Sequence, residues 1–389
     1  MVKPGLSVLL EQKLELIESR SVGLITNATG VNEKLEDNIS LFCKNPEIDL
    51  RAIFSPEHGL WGTAQDAVRV SSFQYEGERI PVYSLYGAVR KPTGEMLEGI
   101  DALIFDIQDI GARFYTYIST MAMAMEACAE HDLRFVVLDR PNPIGGVAVE
   151  GNILDIDFRS FVGYLPISVR HGMTAGELAL LFNDQFRIGA RLSVVSMTGW
   201  QRDMWFDDTG LPWVMPSPNM PTLDTAAVYP GTCLFEGTNV SEGRGTTRPF
   251  EIIGAPWIDA RRLADELNGL SLAGVKFRPA YFIPTFAKHK DKSCGGVQVH
   301  VMDREIFSPV RVGLNMISTV KRLYPQEFEW RGGDRPFFDL LMGTDKVREL
   351  LSSGESVDSI ISLWGGELLK FLESRERYLL YRDREGNGK

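Results

Sequence analysis

Histidine, cysteine and long apolar runs are all scarce in this 389-residue chain. The histidines His58, His131, His171, His289 and His300 form no H-E-x-x-H or other paired spacing, so no metal site is indicated and no cofactor is expected. Cys43, Cys128, Cys233 and Cys294 include no C-x-x-C pair, and each reads as a small buried apolar residue without a disulfide partner. The longest apolar stretch, 118–129, is too short to span a bilayer and contains Glu126. Residues 1–20 are broken by Glu11, Gln12, Lys13, Glu15 and Glu18, which is not a signal-peptide pattern. The expectation is a soluble cytoplasmic protein with no membrane insertion, or a secreted one if a leader has been removed. Basic residues are also short: 41 Lys and Arg stand against 52 Asp and Glu, a net charge of −11. That balance argues against nucleic acid as a partner, and any anionic ligand would have to be met by a few placed arginines. No G-x-G-x-x-G follows the first strand pattern, and neither a Walker lysine loop nor a G-x-S-x-G elbow occurs. Dinucleotide, P-loop and elbow-type serine hydrolase chemistry therefore lack their motifs.

What is present is globular: 44% hydrophobic and 24% charged residues. In the first half, short β-branched runs at 22–26, 50–54, 81–85, 102–107, 135–138 and 192–197 alternate with helical patterns. Continuous apolar runs are what a parallel sheet covered on both faces requires. Tyr117, Met121, Ala124 and Cys128 recur at helical spacing, and Thr174 with Glu177 forms a capping box before another apolar stripe. The fold class is α/β. A Rossmann-like parallel-sheet domain over 1–200 precedes an α+β domain over 201–389, with the 200–213 segment as the crossing. In the second half, 205–260 is proline-rich and reads as long ordered loops. Residues 297–301 alternate like a strand, and 307–323, 337–341, 345–351 and 357–378 read as helices.

Four motifs collect functional groups. FSPEHG (54–59) follows a strand, and Glu57 and His58 lie at its carboxyl end, where open α/β sheets bind ligands. Position alone fits a turn carboxylate paired with His58 or an arginine as well as it fits catalysis. After the 102–107 strand come Gln108, Asp109, Arg113 and Tyr115; here the plain reading is that Asp109 caps a helix and Arg113 neutralises it. LDRPNPIGG (138–146) holds Arg140 and Asn142 in a rigid loop, with Asp139 and Arg140 also readable as an ion pair. The 216–247 region carries Asn219, Glu236, Asn239, Glu242 and Arg244 among glycines. Such a mixture suits a polyhydroxyl ligand, with Phe235 and Trp257 available to stack on a sugar, although solvated loops share the composition. Without the other motifs, what is left is carboxylate chemistry in a cleft, the usual equipment of glycoside hydrolysis.

The runs GLITNATG (23–30), FSPEHGLWG (54–62), QDIGARFYTYISTM (108–121), LDRPNPIGG (138–146), RHGMTAGELA (170–179), PSPNMPTLDTA (216–226) and YPGTCLFEGTNVSEGRGTTRPFE (229–251) resemble the DUF1343 family, whose characterised members are exo-acting β-N-acetylmuramidases of the NamZ type. The resemblance implies removal of N-acetylmuramic acid from the non-reducing end of peptidoglycan fragments, in a cleft between two subdomains. It implies that Glu57 is the general acid or acid/base. Asp109 and Glu242 are candidates for base or stabiliser, unless the sugar's acetamido group takes that role. The lactyl carboxylate calls for a guanidinium from Arg113, Arg140 or Arg244, with Arg244 ranked first. Gln108, Tyr115, Asn142, Asn219 and Asn239 would orient the sugar. The alternative is a muropeptide- or sugar-binding protein without catalysis.

Overall fold

The structure, a computed structural model, describes residues 1–65, 73–75 and 80–382. The first half contributes strands β1 (Ser21–Thr26), β2 (Asp49–Ser55), β3 (Phe73–Gln74), β4 (Pro81–Ser84), β5 (Ala102–Asp106), β6 (Arg134–Leu138), β7 (Glu150–Ile153), β8 (Ser168–Arg170) and β9 (Arg191–Val195). Helices α1 (Gly5–Gln12), α2 (Asn38–Lys44), α3 (Tyr117–Glu130) and α4 (Ala175–Gln185) lie between or before them. The main sheet runs β3-β4-β2-β1-β5-β6-β9, with every neighbour parallel except the short β3 on the β4 edge. The six runs read as strands in the sequence are the six parallel strands. Their continuous apolar character has a direct cause: successive side chains bury on opposite faces. Leu24, Ile53, Ile104 and Val136 pack with α1 and α2 residues, whereas Ile25, Phe54, Phe105 and Val137 pack into the larger core that includes α3 and α4.

The second half contains α5 (Leu223–Thr232), β10 (Ile252–Ala255), α6 (Ala260–Gly269), β11 (Val275–Phe282), β12 (Cys294–Val301), α7 (Pro309–Leu323), α8 (Phe337–Met342), α9 (Lys346–Ser353), α10 (Val357–Ser362) and α11 (Gly365–Arg375). Its sheet is antiparallel in the order β10-β12-β11. The fold is thus α/β with a second, α+β part, and the larger core runs through both without a break. Among the described residues no helix is long and apolar enough to cross a membrane.

Two expectations need correcting. The 205–260 region is not all loop: Thr222 caps α5, which continues through Pro230 because the helix is buried against α7. The crossing is close enough that a Cβ on Gly231 would lie 1.9 Å from the Pro309 carbonyl oxygen. The helical stretch 357–378 is divided into two helices and a 3-10 turn. Cys43 is exposed, whereas the other three cysteines are buried.

The chain end returns to the first half. Tyr381 Oη donates to Asp139 Oδ2 at 2.6 Å and accepts from the Met197 amide at 2.9 Å. The capping box of α4 forms as read, and its Glu177 also takes Arg202 at 2.6 Å and the Leu380 amide at 2.8 Å.

Candidate active site

The carboxyl ends of β2 and β5 face the second half across a cavity of about 340 Å³. The chain leaves β2 through Pro56 and turns sharply, with His58 at φ 71° and Gly59 at φ 76°. That left-handed pair brings Glu57 and His58 to the cavity wall. Thr116, just before α3, donates to Glu57 Oε2 at 2.7 Å, and Oε1 makes no hydrogen bond among the described residues. Glu57 is 7% exposed. His58 Nδ1 lies 2.9 Å from the Ala64 carbonyl oxygen, which can only accept, so Nδ1 carries a proton; in the neutral ring Nε2 is then an acceptor.

Tyr115 and Tyr117 form the floor, edge-to-face at 5.0 Å, and Tyr229 meets Tyr115 edge-to-face at 5.7 Å. Burial pushes the Tyr115 and Tyr117 phenols well above their ordinary range, so both stay neutral; Tyr117 Oη donates to the Pro216 carbonyl. The second half supplies Asn219, Glu236 and Arg244. Asn219 Nδ2 donates to Gln65 Oε1 at 3.1 Å, tying this part to the loop after Glu57. Arg244 Nη2 meets Glu236 at 2.6 Å and its Nε meets Glu242 at 3.2 Å. Glu242 lines an adjoining outer basin with Asn239 instead of the inner cavity. Burial works against the Glu242 charge, but Lys288 at 2.8 Å and Arg244 outweigh it and hold the carboxyl below its usual value.

The remaining residues singled out in the sequence do not reach the inner cavity. Asp109 Oδ2 accepts from the Gly111 amide at 2.7 Å and lies 3.5 Å from His171 Nε2, behind the wall. It does not cap α3. Gln108 donates to the Asp109 and Pro141 carbonyls at 2.6 and 2.7 Å. Arg113 is buried and spends its guanidinium on four carbonyls, those of Asn152, Ile167, Leu341 and Met342, at 2.8–2.9 Å. Among the described residues it pairs with no carboxylate, and burial pushes its pKa down to about 9. Arg140 pairs with Asp106 at 2.6 Å rather than with Asp139, which accepts the Arg140 amide instead. Asn142 locks its loop by donating to the Met173 carbonyl at 2.9 Å. Asn239 clamps the 327–329 segment, donating to the Glu327 carbonyl at 2.6 Å and accepting the Glu329 amide at 3.1 Å. Phe235 is fully buried and Trp257 packs on Tyr324, so neither offers a face to this cavity.

The cavity also recruits residues that sequence reasoning passed over: Thr116, Tyr86, Arg90, Phe161 and Ser217. Tyr86 lies two residues past β4, so the rule that ligands bind at strand carboxyl ends would have found it. Phe161 lies in an irregular segment with no such signal. Among the described residues no group of three or more His, Cys, Asp or Glu is disposed to hold a metal ion.

Two family models, the N-terminal and C-terminal parts of exo-β-N-acetylmuramidase NamZ, match residues 22–224 and 227–381. The chain belongs to the NamZ family. It is 51% identical over 380 residues to the peptidoglycan β-N-acetylmuramidase NamZ of Bacillus subtilis strain 168, covering 98% of this chain and 91% of that protein. Crystal structures of two DUF1343-family proteins from Bacteroides fragilis NCTC 9343 share the fold. One matches with a TM-score of 0.92 and 39% identity, over 98% of this chain and 99% of that one; the other with 0.76 and 32%, over 99% and 100%. Membership in this glycosidase family agrees with the carboxylate-lined cavity, which contains both Glu57 and Glu236.

Proposed function

We propose that the chain is an exo-acting β-N-acetylmuramidase that releases N-acetylmuramic acid from the non-reducing end of peptidoglycan fragments, with Glu57 protonating the departing oxygen. The observation that carries this reading is Glu57 itself. One carboxyl oxygen is fixed by Thr116, the other makes no hydrogen bond among the described residues, and Glu57 lines a cavity at the small end of ligand-site sizes. A cavity of that size suits one sugar, as terminal cleavage requires.

Breaking a β-glycoside needs a proton for the leaving oxygen and a partner for the oxocarbenium charge. Glu236 is the other carboxylate on the wall, so we assign it the charge-stabilising role in place of Asp109 and Glu242. Arg244 positions it. The neutral phenol of Tyr115, Asn219 and His58 Nε2 supply donors and an acceptor for the sugar's hydroxyl and acetamido groups. Gln108, Arg113, Arg140, Asn142 and Asn239 belong to the scaffold. We also place the division of the chain near residue 200, and the reaction on small muropeptide sugars in the cytoplasm, which cell fractionation would test.

The test is turnover of para-nitrophenyl β-N-acetylmuraminide beside the matching glucosaminide. Release from the muraminide, lost by roughly 10²–10⁴-fold in Glu57→Gln with Tm unchanged, is the expected result. Binding of a muramyl disaccharide that persists uncleaved would favour a non-catalytic binder. A large drop in Tm for Glu57→Gln would make Glu57 a structural carboxylate.

A further inference from the structure

Two guanidinium groups line the inner cavity, and their electrostatic situations differ. Arg244 is held by Glu236 and Glu242 together, so its charge is already matched. Arg90 enters from the segment after β4, and its guanidinium carbon lies 4.4 Å from the centroid of the Phe161 ring. No carboxylate or other acceptor among the described residues takes its N–H groups. A cation over an aromatic face keeps its charge while losing rotational freedom, which prepares it for a ligand.

The wall around it is ordered. Phe161 packs against Tyr86 at 5.9 Å and sits in a turn closed by reciprocal backbone bonds between Ser160 and Gly163, at 2.8 and 3.2 Å. Ser160 lines the same cavity, and its hydroxyl is buried without a hydrogen-bond partner among the described residues. An uncompensated guanidinium and an unused hydroxyl lining one cavity make a donor set for a carboxylate.

We propose that Arg90, stacked on Phe161 and assisted by Ser160, binds the lactyl carboxylate that distinguishes muramic acid from glucosamine, in place of Arg244. This rests on the muramidase reading above. It makes Arg90 a specificity residue at the rim of the site, with Glu57 at the reacting bond.

The experiment compares para-nitrophenyl β-N-acetylmuraminide with its lactyl methyl ester, which removes the negative charge and keeps the shape. Wild-type protein should prefer the free acid by roughly 10- to 100-fold in kcat/KM, as expected for a charge-assisted bidentate contact. Arg90→Met should abolish that preference, and Arg90→Lys should retain part of it. A preference for the acid that survives in Arg90→Met overturns the proposal and leaves the muramidase reading intact. Equal rates for acid and ester in the wild type also overturn it. If neither compound is cleaved, the muramidase reading fails, and calorimetry with free N-acetylmuramic acid decides Arg90 by itself. Binding lost in Arg90→Met supports the carboxylate site; equal binding, or none to the wild type, overturns it.

Discussion

Thr116 Oγ1 donates to Glu57 Oε2 at 2.7 Å, joining the residue before α3 to the turn after β2. The two strands that lead to these residues, β2 and β5, flank β1 in the sheet. The orientation of the proposed acid therefore depends on the sheet itself and on one hydroxyl. Thr116→Val should lower kcat by roughly 10- to 150-fold, the worth of one hydrogen bond to a charged group, with KM little altered. Steady-state kinetics at one pH would check it, and an unchanged kcat would remove Thr116 from the positioning of Glu57.

Asp139 gives the protein a pH-dependent stability. Burial pushes its carboxyl up from 3.8 to about 6, against the pull of its bonds from Tyr381, Gly176 and Thr174. A folded pKa raised above the unfolded one means the native state binds the extra proton between the two values. This group's contribution is then greatest below pH 4 and is lost as pH rises through about 6. At about 1.4 kcal/mol per unit the effect is on the order of 1–3 kcal/mol. Asp139→Asn should flatten the fall in Tm between pH 4 and 7 relative to wild type. Parallel Tm profiles for the two proteins would contradict this.

Arg113 separates scaffold from site. Removing its guanidinium takes a donor from four buried carbonyls; Met342 keeps Asn152 Nδ2 and Ile167 keeps the Leu154 amide, and each carbonyl left unsatisfied costs about 1–3 kcal/mol before relaxation. Arg113→Met should lose several degrees of Tm or more, while the folded protein at low temperature keeps its KM. A raised KM with an intact Tm would return Arg113 to the substrate.

Gly231 is fixed by contact between helices rather than by its own torsion angles. The same approach is seen from α7, where a Cβ on Gly313 would lie 2.3 Å from the Gly231 carbonyl oxygen. Gly231→Ala should force α5 and α7 apart and cost roughly 3 kcal/mol or more, within the upper range for overpacking. Chemical denaturation would measure it, and a cost below 1 kcal/mol would mean the crossing is looser than drawn.

How far the sequence could be read depended on how local each cause was. The capping box of Thr174 and Glu177 spans three residues and could be read directly. The helix through Pro230 could not, because a proline-rich composition argues for loops and only packing on α7 overrides it. Glu57 was legible because a strand end followed by Pro56 and Gly59 must project it somewhere near the sheet's carboxyl edge. The arginines were not. Arg113 has carbonyl partners 228 and 229 residues away, and Arg140 finds Asp106 across neighbouring strands. The sequence around each of these arginines fits either role, and only their partners distinguish a scaffold bond from a ligand contact.

The order of short buried strands and capped helices was determined by the sequence alone, because backbone hydrogen bonding and the burial of alternate side chains act over a few residues. Tertiary structure decided which charges are already answered: Arg244 by two carboxylates, Arg113 by four carbonyls, Arg90 by none among the described residues. Electrostatic energy depends on distance through space, and proximity along the chain does not supply that distance.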